Sequence, residues 1–147
     1  MMSPGFHSIG LCCITLLLVS GKPVYAGWVA VEKDYLDPGL QTVYADPDTV
    51  IREGNLVTIR QLTDYKWMQG NVGLGRFMPG PHRFFSTTTR KQFDCGTKRV
   101  RMLAFTEFSG HMGTGIAANG YVDQDVWLPV EPESINHALW ELVCTRS

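Results

Sequence analysis

The sequence has almost no net charge, and it contains no internal repeat or low-complexity stretch. Its 13 lysines and arginines nearly balance 14 aspartates and glutamates, for a formal charge of -1, whereas a dedicated nucleic-acid-binding domain is usually clearly basic. Hydrophobic residues make up 44% and charged residues 18%, an ordinary globular composition. A length of 147 residues suits one domain and excludes a two-domain enzyme with a cofactor-binding half.

Residues 1–26 have the features of a secretory leader. Residues 11–19 (LCCITLLLV) form an apolar run that is too short to span a bilayer, and compact residues ending at Ala26 occupy the positions that a signal peptidase reads. Positions 1–10 hold no lysine or arginine, and an uncleaved membrane anchor is the alternative. We predict a signal peptide that is cleaved after Ala26. Residues 27–147 then form the exported domain, in the periplasm, secreted or at the cell surface.

The four cysteines fall into two pairs. Cys12 and Cys13 lie inside the apolar run instead of following it, so we expect no lipid anchor, and we expect no transmembrane segment in the mature chain. Cys95 and Cys144 would reach an oxidising compartment, where one disulfide is expected. Two free thiols are the alternative.

Most of the chain up to residue 130 has the pattern of short strands separated by turn residues. Two long segments, 83–94 and 98–108, face each other across residues 95–97, which predicts a β-hairpin. The glycine- and proline-rich stretch 70–81 predicts a surface loop whose Phe77 and Met78 would offer a contact point for a partner. Further strands are predicted at 28–33, at 41–45 (ended by Asp46-Pro47-Asp48), at 56–67 and at 121–130.

Residues 133–144 (ESINHALWELVC) predict a C-terminal helix. They contain no glycine or proline, and Ser134 is a suitable N-cap. Apolar side chains cover about two thirds of the helix circumference, so the helix must be covered on most sides. The predicted class is therefore α+β, with the helix covering one face of an antiparallel sheet. A Cys95–Cys144 bond would join the helix end to the hairpin turn.

Several short motifs occur in a fixed order along the domain. They are Trp28, Val43–Thr49 (VYADPDT), Leu62–Lys66 (LTDYK), Phe93-Asp94-Cys95, Arg99-Val100-Arg101, Gly113-Thr114-Gly115, Pro132-Glu133-Ser134 and Leu139–Cys144 (LWELVC). In this order the set resembles the bacterial surface-adhesin protein E family. The resemblance implies about six antiparallel strands, a C-terminal helix held on the concave face by a disulfide, and a protein that binds host matrix or serum proteins.

Candidate catalytic and metal-binding groups are few. Residues 46–51 (DPDTVI) fit the pattern of aspartate-nucleophile phosphatases, but no amphipathic helix follows within 60 residues, so we interpret Asp46-Pro47-Asp48 as a turn. The domain's histidines, His82, His111 and His137, each stand alone in their segment, whereas zinc sites need converging ligands. No G-x-S-x-G motif is present. We expect no enzymatic activity, no metal and no cofactor.

Basic residues are concentrated in the predicted hairpin. Six of the twelve in the domain fall within 19 positions: Arg83, Arg90, Lys91, Lys98, Arg99 and Arg101. Such a patch at a hairpin tip can attract an acidic partner or a polyanionic glycan. The alternative is a solvated hairpin end whose charges prevent edge pairing.

We therefore expect an exported, non-catalytic binding domain that contacts matrix or serum proteins through this hairpin. The alternatives are a periplasmic structural or accessory module without a host ligand, and a small-molecule site between the helix and the sheet.

Overall fold

The computed structural model describes residues 27–70 and 83–145. The predicted signal peptide and most of the predicted glycine-rich loop, with Phe77, Met78 and His82, lie outside the described residues. The described part contains one antiparallel sheet, one 3-10 turn at His111–Gly113 and one α-helix. The elements are β1 Val29–Ala30, β2 Gln41–Glu53, β3 Leu56–Gln69, β4 Phe84–Asp94, β5 Arg99–Phe108, β6 Ala117–Asn119, β7 Leu128–Pro129 and α1 Ile135–Cys144.

The sheet is an antiparallel meander in which each strand from β1 to β6 pairs with the next one in the chain. Strands β6 and β7 share the outer edge of β5: β6 pairs with the end at Phe108, and β7 pairs with the end at Arg99. The predicted class, an antiparallel sheet of about six strands with a C-terminal helix and one disulfide, is confirmed.

Turn chemistry fixes the β2–β3 and β4–β5 hairpins. Between β2 and β3 the turn is Gly54–Asn55, and Gly54 adopts a φ of 61° that favours glycine. Between β4 and β5 the Asp94 carboxylate accepts hydrogen bonds from the amides of Gly96 (3.0 Å) and Thr97 (3.2 Å). The hairpin expected from the sequence is therefore present.

Strand β2 is longer than the sequence pattern indicates. Asp46-Pro47-Asp48 does not end the strand, because the ladder resumes at Ile51 after a shift in register. Within this bulge Thr49 donates a hydrogen bond to the Asp46 carbonyl (2.7 Å), and its Oγ1 accepts one from the Arg60 amide (3.1 Å). These bonds hold β2 on β3 past a proline that cannot donate to the ladder.

Two predicted strands are shorter than expected. In the first, residues 28–33, only Val29–Ala30 pair; in the last, residues 121–130, only Leu128–Pro129 pair. Residues 121–127 lie beside β5 without forming a ladder, and the Gln124 side chain donates to the Leu103 carbonyl (2.8 Å). A side chain thus satisfies a strand-edge carbonyl that a regular strand would have satisfied.

Alternation along the strands gives the sheet two distinct faces. Val57, Ile59, Phe93 and Val100 form the core with Leu139 and Val143 of α1, and all are buried. We call this side the helix face and the opposite side the outer face. Residues that alternate with these core positions, such as Arg60 and Arg101, belong to the outer face.

The predicted disulfide is present. Cys95, in the β4–β5 turn, is bonded to Cys144 at the end of α1, with their Cα atoms 5.5 Å apart. It closes a loop across 49 residues of sequence separation and ties the helix to the hairpin turn.

Ser134 caps α1 as expected, and its Oγ accepts a hydrogen bond from the His137 amide (3.1 Å). Replacing Ser134 with alanine leaves that amide without its partner, so we expect the free energy of unfolding to fall by about 1 kcal/mol. Urea unfolding followed by circular dichroism measures this. Ser134→Asp is the control, because it restores an acceptor and should regain most of the stability. An alanine variant as stable as the parent would contradict the assignment.

Candidate functional site

The structure divides the six basic candidates among several places. Arg90, Arg99 and Arg101 alternate with core positions and lie on the outer face. Lys98 lies in the hairpin turn, with its Nζ 4.7 Å from the centre of the Trp140 ring of α1. Arg83 is exposed just before β4.

Lys91 does not belong to this exposed set, which corrects its grouping at the hairpin tip. Its side chain is on the helix face, where it is only 9% exposed and its Nζ donates to Asn136 Oδ1 (2.7 Å). Burial lowers the pKa of Lys91 to about 8. Neighbouring residues of a strand point to opposite faces, so Arg90 and Lys91 cannot share a surface.

Arg60 joins the outer-face arginines, although the sequence pattern did not single it out. Strand register places Arg60 of β3 directly opposite Arg90 of β4, and both side chains are exposed. Like charges in that position repel each other unless an anion lies nearby. The pairing depends on the register between β3 and β4, which neither the Gly54 turn (β2 to β3) nor the turn after Asp94 (β4 to β5) specifies, so a local sequence pattern could not have found it.

Two tryptophans flank the arginines. The Arg60 guanidinium lies 5.2 Å from the centre of the Trp28 ring. At the other side, Arg101 and Arg99 lie 4.7 and 5.6 Å from the centre of the Trp127 ring. Such contacts hold guanidinium groups in place while leaving their N–H donors available. We call Arg60, Arg90, Arg99, Arg101, Trp28 and Trp127 together the outer basic surface.

Internal partners offset part of its charge. Asp94 Oδ2 lies 4.0 Å from the Arg99 guanidinium, and the pKa of Asp94 is lowered mainly by a hydrogen bond from the Thr97 side chain, with a smaller contribution from Arg99. Arg101 donates to Gln92 Oε1 (2.9 and 2.7 Å) and to the Gln124 carbonyl (3.1 Å). Arg60 and Arg90 are therefore the arginines best placed to meet a partner.

The two described histidines, His111 and His137, make contacts within the fold. His111 Nδ1 lies 3.2 Å from Asp64, whose carboxylate also accepts a hydrogen bond from the Met112 amide (2.8 Å). His137 lies between the rings of Tyr35 and Trp140, at 6.0 and 6.4 Å. Over residues 27–70 and 83–145, no three metal-binding side chains of His, Cys, Asp or Glu converge.

No helix in the described part of the chain is long and apolar enough to cross a bilayer.

Solved structures of other proteins share this fold. A crystal form II structure of Haemophilus influenzae protein E is 13% identical, covers 82% of this chain and 88% of its own, and has a TM-score of 0.60. A second structure of that protein is 14% identical with a TM-score of 0.58, covering 82% of this chain and 85% of its own. Protein E from non-typeable Haemophilus influenzae is 12% identical with a TM-score of 0.55, covering 87% and 82%. At these identities the likeness shows the fold alone.

The comparison with protein families extends over almost the whole described chain. The model of the family described as surface-adhesin protein E matches residues 28–145. No curated protein matches the chain. The family match covers both cysteines of the disulfide, the meander and α1. The chain belongs to the surface-adhesin protein E family.

Proposed function

We propose that this protein binds an acidic region of a host matrix or serum protein through its outer basic surface. Membership in the surface-adhesin protein E family makes it an adhesin-like binding protein that is exported or at the cell surface. The family also favours a non-enzymatic role. The partner and the surface that contacts it are our proposal.

The pairing of Arg60 with Arg90 carries the proposal. These exposed arginines lie opposite each other in the register, with Arg101 and Arg99 further toward the hairpin tip on the same face. On the other side of Arg60, Asp46 of β2 lies opposite it in the β2–β3 register. Asp46 is 7% exposed, and its carboxylate accepts a hydrogen bond from the Asp48 amide (3.2 Å). An arginine pair is well suited to carboxylates or sulfates, since each guanidinium presents a planar fork of donors.

Reversing three of these charges is expected to weaken binding strongly. In the triple variant R60E/R90E/R99E, carboxylates replace three exposed guanidinium groups, so attraction to an acidic partner becomes repulsion. We expect affinity for immobilised vitronectin or laminin to fall by about tenfold or more. Parent binding should itself weaken as salt is raised, because exposed charges are screened. Surface plasmon resonance over a salt series measures both effects.

The matched control is a pair of single charge reversals on opposite faces. Arg90→Glu changes an exposed arginine of the outer face, and Arg52→Glu changes an exposed arginine of β2 beyond the bulge, near Leu142 and Val143 of α1. The first should weaken binding and the second should not. Unchanged binding in the triple variant would remove this surface from the mechanism.

The remaining outcomes separate the alternatives. Binding to heparin but to neither protein would indicate a general polyanion surface. Binding to none of the three would favour a periplasmic structural or accessory module.

A further inference from the structure

A pocket of about 330 Å³ lies at the edge of the sheet and shares only Arg101 with the outer basic surface proposed above. Its walls come from β4, from β5, from residues 121–128 up to β7 and from the first turn of α1. Lys91 and Asn136 lie on one side, and Met102, Tyr121 and Leu128 contribute apolar surface.

Lys91 is a buried cation without an acidic partner in the described part of the chain. Its Nζ contacts Asn136 Oδ1 (2.7 Å), and burial alone accounts for the lowering of its pKa. An ammonium group away from water is costly unless an opposite charge compensates it. A neutral amide accepts one hydrogen bond and supplies no compensating charge.

The apolar side chains of the pocket remain open to solvent. Tyr121 is 94% exposed, Leu128 56% and Val126 47%, and all three line this pocket. Exposed apolar groups gathered around a buried ammonium form an amphipathic site. Such a site suits a ligand with one anionic end and an apolar body.

We propose that this pocket binds a small apolar monocarboxylate, whose carboxylate pairs with Lys91 Nζ while its body packs on Met102, Tyr121 and Leu128. The volume is at the lower end of the range for ligand pockets, which favours a compact acid over a long-chain lipid.

The other charged groups of the pocket support a single negative charge on the ligand. Arg101 lines the wall, but its donors bond Gln92 and the Gln124 carbonyl. Asp123 also lines the wall and accepts a hydrogen bond from the Asp125 amide (3.0 Å). The Asp123 carboxylate disfavours a polyanion. The monocarboxylate proposed for this pocket is therefore a different class of ligand from the partner of the outer basic surface.

The test compares 4-phenylbutyrate with its neutral analogue 4-phenylbutyramide. The protein is expressed from the 147-residue sequence and purified. Each compound is titrated at millimolar concentrations, and the backbone amide resonances of the protein are followed by NMR. The acid should bind saturably and shift resonances near Met102, Tyr121 and Leu128. 4-Phenylbutyramide should bind at least about tenfold more weakly than the acid, because it cannot form the charged hydrogen bond.

Variants and pH assign the effect to Lys91. Lys91→Met should bind the acid about tenfold more weakly, whereas Lys66→Met, which removes an exposed lysine of β3, should bind as the parent does. Binding by the parent should also weaken between pH 7 and about 9.5, as Lys91 loses its proton, and Lys91→Met should lack this dependence.

Several results would overturn the proposal. These are equal affinity for acid and amide, full affinity in Lys91→Met, shifts confined to other parts of the molecule, and no binding of the acid. The triple outer-surface variant should retain this binding, so failure of the proposed function and failure of this site are distinguishable.

Discussion

Removing the Cys95–Cys144 bond is expected to lower the free energy of unfolding by about 4 kcal/mol. The bond closes a loop across 49 residues of sequence separation, and without it the unfolded chain gains the conformational freedom of that loop. It also ties the end of α1 to the turn between β4 and β5, next to the core around Phe93 and Val143. Urea unfolding of parent and C95A/C144A protein, followed by circular dichroism, measures the difference.

Reduction of the parent protein is the control for the substitution itself. Reduced parent and C95A/C144A should unfold at similar urea concentrations, because both lack the cross-link and keep the same apolar core. A loss below about 1 kcal/mol in both would contradict the prediction and would mean that native-state strain offsets the entropic gain.

The second prediction concerns Lys91 and pH. Burial lowers the pKa of Lys91 from 10.5 in its ordinary state to about 8 in the fold. Between these values the unfolded chain binds more protons than the folded one, so stability rises with pH. Below pH 8 both states are protonated, and the buried charge costs about 3 kcal/mol. Above about pH 10.5 this cost has disappeared.

Lys91→Met removes the cost without opening a cavity. At pH 7 we expect the variant to be more stable than the parent by about 2 kcal/mol. The gain is smaller than the cost of the buried charge because the variant loses the hydrogen bond to Asn136, which contributes about 1 kcal/mol. The advantage should shrink steadily as the pH rises from 8 to 10.5. Urea unfolding of both proteins at a series of pH values measures the difference between them.

The comparison isolates Lys91 from its surroundings. Tyr35, whose pKa is raised by burial, and Lys33, whose pKa is raised by a hydrogen bond to Glu141, contribute to both proteins alike. Of the groups around Lys91, Asn136 on α1 does not titrate, and Arg101 and Asp123 line the pocket in both proteins. Lys66→Met should follow the parent throughout. A methionine variant that is less stable at pH 7 would show that the ammonium stabilises the fold.

Local chemistry made much of the fold predictable from the sequence. The Ser134 cap and the turn after Asp94 act over three or four residues, so the helix and the hairpin could be located without tertiary information. The course of β2 could not, because a proline in a strand normally marks its end. Here a hydrogen bond from the Arg60 amide to Thr49 carries the pairing past Pro47, and that contact depends on a residue 11 positions away.

Local sequence patterns predict the candidate site only in part, as they do the fold. Alternation alone separates Lys91 from Arg90, and it places Arg99 and Arg101 on one side. Arg60 and Trp127 depend on register and on an edge segment, neither of which a local pattern contains. The pocket beside Lys91 depends on where residues 121–128 run, and the sequence pattern predicted a strand there.

The meander also determines the order in which the protein can form. From β2 to β5 each strand pairs with the next one in the chain, so three hairpins can assemble before α1 docks. The helix comes last in the described chain, yet it covers Val57, Ile59 and Phe93. Until α1 docks, the sheet exposes these side chains and Cys95 is not yet bonded to Cys144, so this intermediate is prone to aggregation. Docking of the ten residues of α1 therefore completes the folding of the sheet that precedes them in the chain.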